Sequence, residues 1–170
     1  VTGQNLDWFF SQWLFEPGYP EFKVSWSYNP RDENVKIKLE QVQDLKTSVI
    51  FRVKVDVRLD DSVKTFVIDQ KKMIFNIYSK QRPKLVIFNS GNRIPCKLHF
   101  EKNISEWILQ LQTAPDILDR ISAARALSQK KGRRNVEEAL LKSLGTDPFW
   151  AVRKEAAKSF SRLKVKKYEE

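Results

Sequence analysis

The sequence predicts an α+β chain: an N-terminal helix, an antiparallel β-sandwich of about seven strands, then α-helical repeats. Three observations carry this reading. Apolar residues alternate with polar ones through most of the stretch from Phe22 to Phe100, and they recur at helical spacing after Glu101. Clusters of turn-forming residues interrupt the first half at short intervals. A block of nine residues recurs 33 positions later in the second half.

The N-terminal helix rests on LDWFFSQWL, in which Leu6, Phe9, Phe10, Trp13 and Leu14 share one helical face. Pro17-Gly18 stops it, and Tyr19-Pro20 leads into the first strand. The strands follow as FKVSWSY, VKIKLEQV, VIFRVKVDVRL, KTFVID, MIFNIYS, KLVIFN and PCKLHF. Between them lie Asn29-Pro30-Arg31-Asp32, Asp60-Asp61-Ser62, Gln81-Arg82-Pro83 and Asn89-Ser90-Gly91-Asn92, a spacing suited to a sandwich or barrel. In VKIKLEQV, Val35, Ile37 and Leu39 take one face and Lys36, Lys38 and Glu40 the other, as in an antiparallel sheet with one wet side.

In ISEWILQLQ, the residues Ile104, Trp107, Ile108 and Leu111 form one stripe, with Asn103 or Ser105 as the cap. A second helix begins at Pro115 and runs to Ser128, a third spans 135–144, and a fourth runs from Asp147 to Leu163 with Pro148 in its first turn. Arg120-Ile-Ser-Ala-Ala-Arg-Ala-Leu-Ser128 aligns with Arg153-Lys-Glu-Ala-Ala-Lys-Ser-Phe-Ser161. The paired alanines let helices approach closely, and Leu127 or Phe160 anchors each block. This is the pattern of stacked helical pairs of the HEAT or armadillo kind, and two pairs are fewer than such arrays usually need.

A chain of 170 residues, 41% of them hydrophobic, can fill one sizeable core or two small ones. No apolar run approaches a membrane span, and VTGQNLDW lacks the parts of a signal peptide. A start without Met is expected of a piece cut from something longer. One cysteine, Cys96, excludes an internal disulfide and a thiolate zinc cluster. One histidine, His99, excludes an H-E-x-x-H metal site, because that chemistry needs two imidazoles on one helix face. His99 reads as a strand histidine at a surface or boundary, Cys96 as a buried inert thiol of the same strand, and Asp60/Asp61 as a solvated turn. No phosphate-binding glycine loop and no EF-hand loop occurs.

The net charge of +10 includes two basic clusters, Lys130, Lys131, Arg133 and Arg134 in one, Arg162, Lys164, Lys166 and Lys167 in the other. They could contact phosphates. No helix-turn-helix, RRM or KH signature accompanies them, and the aromatics are spaced as core residues rather than as a stacking platform. A solvated basic surface is the preferred reading, with a basic nucleic-acid-binding adaptor as a lesser alternative.

The run FFSQWLFEPGYPEFKVSWSY resembles a segment of M1-family zinc aminopeptidases, written loosely FF-x-QW-x-x-x-PG-x-P, where the last helix of the catalytic domain passes into a small β-sandwich. The resemblance continues in Asp56-Val-Arg-Leu59, in FNSGNRIPCKLHFEK, and in DRISAARAL and DPFWAVRKEAA. It implies three parts: residues 1–15, the terminal helix of a catalytic domain that is missing here; 16–101, the β-sandwich; and 102–170, an incomplete helical repeat domain. In the family the zinc ligands, the general base and the G-x-M-E-N exopeptidase motif lie in earlier domains. No catalytic, cofactor-binding or metal residue is therefore carried over to any position of this chain.

The resemblance thus implies a non-catalytic fragment that supports the catalytic domain and helps enclose the peptide chamber. Zinc would belong to the parent protein alone, and peptide substrate would be met only through it. The implied partner is the missing catalytic domain of the same polypeptide. Phe9, Phe10 and Trp13 are expected to face that domain, and in this chain alone some of their surface is expected to be exposed, paired with another copy, or folded back on the sandwich. A catalytically inactive M1-like scaffold of the TBP-associated factor 2 type would look the same over this stretch. The compartment, cytoplasmic or periplasmic, stays open.

Overall fold

The computed structural model describes residues 5–164, except the side chain of Lys164. The predicted N-terminal helix is two segments. An α-helical turn, α1 (Asp7–Phe10), continues into a π-helical turn over Ser11–Phe15, closed by the Glu16 N–H donating to Ser11 O at 3.1 Å. The wider turn changes which side chains after Phe10 share a face.

Seven strands follow: β1 (Glu21–Asn29), β2 (Asn34–Gln41), β3 (Val53–Leu59), β4 (Ser62–Ile68), β5 (Lys72–Tyr78), β6 (Val86–Phe88) and β7 (Lys97–Phe100). Four form a sheet in the order β5-β2-β1-β7, and the others run β4-β3-β6. Alternation decides burial along them. Val35, Ile37 and Leu39 of β2 are buried while Lys36 and Lys38 are exposed, and Val53, Val55, Val57 and Leu59 of β3 are buried in the same way. Phe66 of β4 and Phe75 of β5 pack ring to ring at 4.5 Å, tying an edge of one sheet to an edge of the other.

The expected all-antiparallel arrangement needs one correction. β7 runs parallel to β1, with Phe22 opposite Leu98 and Val24 opposite Phe100. β1 and β2 are antiparallel neighbours joined by a short turn, whereas β7 arrives from far along the chain, so no local turn constrains its direction.

Two strands are shorter than their apolar runs suggest, for one physical reason. The stretch 49–52 is satisfied by side-chain amides in place of a strand neighbour. Gln41 Oε1 accepts from the Phe51 N–H at 3.0 Å, and Gln41 Nε2 donates to Phe51 O at 2.9 Å. Gln43 Nε2 donates to Val49 O at 2.7 Å. Likewise the amides of Lys84 and Leu85 donate to Asp60 Oδ1 at 3.0 and 2.9 Å, so β6 begins only at Val86.

The remaining helices are α2 (Ile104–Thr113), α3 (Ile117–Leu127), α4 (Arg134–Thr146) and α5 (Trp150–Lys164). Asn103 caps α2, with Glu106 Oε2 accepting its backbone N–H at 2.7 Å in a capping box. Asp116 caps α3 through the Leu118 N–H at 2.8 Å, and Asp147 Oδ1 accepts from the Phe149 N–H at 2.9 Å ahead of α5. α2 packs on α3 and α4 on α5, and the pairs stack α2 on α4 and α3 on α5. Leu111, Ala123, Ala124, Leu127, Val136, Leu140, Val152 and Ala156 form their core. Three of the four paired alanines of the repeat, Ala123, Ala124 and Ala156, lie there, where a larger side chain would hold the helices apart.

The chain divides into two compact units. One holds Val1–Asp56, Lys64–Arg82 and Arg93–Glu101, and the other holds Val57–Val63, Pro83–Asn92 and Lys102–Glu170. The segments 57–63 and 83–92 thus group with the helices. In that second unit Leu85, Ile87 and Ala114 form a small core of their own.

Candidate functional site, an exposed aromatic face

The N-terminal segment carries an apolar surface with a definite inner and outer side. Gln12, in the π-turn, is buried, and its amide is matched to the backbone of Arg52: Oε1 accepts the Arg52 N–H at 2.5 Å and Nε2 donates to Arg52 O at 3.1 Å. Trp13 packs on the fully buried Phe51 with ring centroids 5.5 Å apart. The Arg52 guanidinium lies 5.1 Å from the Trp8 ring. Gly18 turns the chain at φ 90°, and a Cβ there would stand 2.6 Å from Ser48 Oγ. Gln12, Trp13 and Gly18 therefore fasten this segment to the 47–52 stretch.

The outer side is uncovered. Trp8, Phe9, Phe10, Leu14 and Phe15 are all exposed, Phe15 most of all at 79%. Trp8, Phe9 and Phe10 are stacked edge to face along it, at 5.9 and 5.7 Å. The expected outward set was Phe9, Phe10 and Trp13, and the structure corrects its last member. Trp13 turns inward onto Phe51, while Leu14 and Phe15 join the outer side, as the π-turn requires. Isolated exposed apolar residues are ordinary, but a contiguous group of this kind is the usual mark of an interaction surface.

The remaining candidates occupy structural positions. His99 is exposed on β7, with Nε2 at 2.6 Å from Glu21 Oε1, and Lys97 Nζ reaches the same oxygen at 2.8 Å. Hydrogen bonds from Lys97 and then His99 hold the Glu21 carboxyl below its ordinary range. Cys96 is partly buried and precedes β7, which corrects the expectation of a buried thiol within the strand. Asp60 lies in the β3–β4 turn at φ 49° with its carboxylate committed to the 84–85 backbone, and Asp61 is exposed.

Lys130, Lys131, Arg133 and Arg134 are exposed, and Arg134 pairs with Glu138 at 2.8 Å. Arg162 is exposed as well, while Lys166 and Lys167 lie outside the described residues. Among the described residues no group of three or more His, Cys, Asp or Glu could hold a metal ion. The described residues therefore offer no donor set that fits zinc.

Sequence reasoning missed a buried polar node in the second unit. Asp119 of α3 is 3% exposed and accepts from Ser90 Oγ at 2.8 Å and from the Gly91 N–H at 3.1 Å. Burial raises its carboxyl, opposed by those two hydrogen bonds. Gln110 Nε2 donates to Asp119 O at 2.8 Å, and Lys102 Nζ donates to Gln110 Oε1 at 2.5 Å while lying 4.6 Å from the Trp107 ring. Burial pushes the Lys102 ammonium down to about 7, opposed by the Glu106 and Asp119 carboxylates. The signal in the sequence was Asn89-Ser90-Gly91-Asn92, legible as a turn; its Ser90 hydroxyl and Gly91 N–H are needed by a helix that begins 25 residues later.

No protein-family model matches the chain, and no curated protein matches it. Among solved structures it is similar to Legionella pneumophila aminopeptidase A in complex with aspartic acid, with a TM-score of 0.74 and 18% identity over 95% of this chain. The chain spans 22% of that protein's length. Nearly the whole of this chain thus has the fold of one part of an aminopeptidase.

Proposed function

We propose that this chain is a non-catalytic portion of an M1-like zinc metallo-aminopeptidase, in which it supports the catalytic domain and helps enclose the peptide chamber. The observation that carries the proposal is the N-terminal segment. The residues of the QW–PG run that face inward fasten it to the chain, and the aromatics left outside, Trp8, Phe9, Phe10, Leu14 and Phe15, form an apolar surface suited to a larger domain. The fold likeness to part of an aminopeptidase supports the same reading. The two stacked helical pairs are then read as HEAT-like repeats, with 1–15, 16–101 and 102–170 as terminal helix, sandwich and repeat domain.

The test compares this chain alone with the polypeptide it comes from. The chain with added zinc should hydrolyse no aminoacyl substrate, and the full polypeptide should do so in a chelator-sensitive way. Phe9→Asp with Phe10→Asp should leave the isolated chain folded and lower both the thermal stability and the turnover of the full polypeptide. Chelator-sensitive turnover by the chain alone would overturn the proposal. A full polypeptide that binds no zinc and turns over no substrate would replace it with the inactive scaffold.

A further inference from the structure

The internal repeat makes each residue of α4 and α5 comparable with the residue 33 positions earlier, and the comparison has a direction. Leu111 is fully buried, and its equivalent Leu144 is 36% exposed. Ile108 and Ile117 pack against the helical core, and their equivalents Leu141 and Trp150 are 46% and 59% exposed. Ala124 and Leu127 are fully buried, and their equivalents Ala157 and Phe160 are only partly so. What the second pair covers on the first is uncovered on the second.

The charged residues follow the same rule. Nη1 of Arg120 donates to Ala114 O at 2.9 Å and Pro115 O at 3.1 Å, and Nη1 of Arg153 donates to Asp147 O at 2.8 Å and Pro148 O at 3.0 Å. Arg120 then uses Nε and Nη2 to reach forward to the Asp147 carboxylate of the next pair, at 2.8 and 3.3 Å. Arg125 does likewise with Glu155, at 3.2 Å. Among the described residues no carboxylate meets Nε or Nη2 of Arg153, or Lys158, which stands where Arg125 does.

We propose that the outer face of α4 and α5, comprising Leu141, Leu144, Trp150 and Arg153, docks a further helical pair of the same kind, whose second helix is preceded by an Asp that pairs with Arg153. An apolar strip flanked by a cation whose twin takes a carboxylate at a helix N-terminus fits that occupant in shape and in charge. The inference rests on the repeat, and it stands whether or not the parent is an aminopeptidase.

The test appends a copy of residues 128–164 after residue 164 of the full chain and follows urea unfolding. The copy should raise the unfolding midpoint in a single transition. In a double-mutant cycle, Arg153→Ala in the chain and Asp147→Ala in the copy should couple by roughly tenfold in the unfolding equilibrium. Sedimentation of the unextended chain should show a monomer, unchanged by Leu144→Lys. An unchanged midpoint, absent coupling, or a dimer that Leu144→Lys dissociates would each overturn the proposal, the last by assigning the face to a second copy.

Discussion

Arg120 and Asp147 face each other across the two helical pairs with two nearly parallel hydrogen bonds, Nε to Oδ2 at 2.8 Å and Nη2 to Oδ1 at 3.3 Å, and both side chains are largely buried. Asp147 Oδ1 also accepts the Phe149 N–H just ahead of α5, so one carboxylate holds the turn between α4 and α5 and fastens it to the neighbouring pair. Truncating one member of such a pair leaves the other charge buried, which costs about 3–5 kcal/mol. Arg120→Ala should lower stability by that amount in urea unfolding. Arg120→Lys should restore only part of it, since an ammonium does not reproduce the two-bond geometry.

Lys102 should make stability depend on pH above neutrality. Its ammonium titrates near 7 in the folded chain against an ordinary 10.5. Between these values the unfolded chain holds a proton that the folded chain lacks, so stability rises with pH, by at most about 1.4 kcal/mol per pH unit. Below about 7 the cost of burying the charge is present in full and the contribution is flat. Lys102→Met should flatten the curve of unfolding free energy between about pH 7 and pH 10. An unchanged slope would show that Lys102 is not the group responsible.

Gln12→Leu keeps the volume of the side chain but leaves the Arg52 N–H and C=O without their partners. Each unsatisfied backbone group costs about 1–3 kcal/mol when buried. The Arg52 backbone is only partly buried, so the variant should lose about 1–3 kcal/mol over the two groups together and shift the emission of Trp13 to the red as the N-terminal segment loosens from Phe51. Loss of stability without a spectral change would place the effect elsewhere.

Gly18→Ala should destabilise the chain by about 1 kcal/mol or more, because φ 90° is strained for any L side chain and the new methyl would meet Ser48 Oγ at 2.6 Å. Adding Ser48→Gly should recover the part due to that contact and leave the part due to the backbone. Thermal unfolding of the two variants separates the terms.

Much of the fold was legible because it depends on local periodicity. The alternation in VKIKLEQV marked β2, and the stripe Ile104, Trp107, Ile108 and Leu111 marked α2 to within a residue. Strand ends were less legible where side chains replace strand partners, as Gln41 and Gln43 do for residues 49–51 and Asp60 does for 84–85. An apolar run reports which residues will be buried, but it is silent about which group takes each backbone hydrogen bond. The inner and outer sides of the N-terminal segment were half legible: the aromatic content was plain, while the π-turn that sends Trp13 inward and Phe15 outward has no marker in the pattern.

By itself, then, the amino-acid sequence determined the element types, the change from strands to helices after Glu101, and the 33-residue repeat, since each follows from side-chain spacing along one segment. Only the tertiary structure decided the parallel pairing of β7 with β1, the junction of Ser90 and Gly91 with Asp119 and the clamp from Arg120 to Asp147. Those contacts join residues distant in the chain, and their strength comes from burial that exists only once the chain has folded.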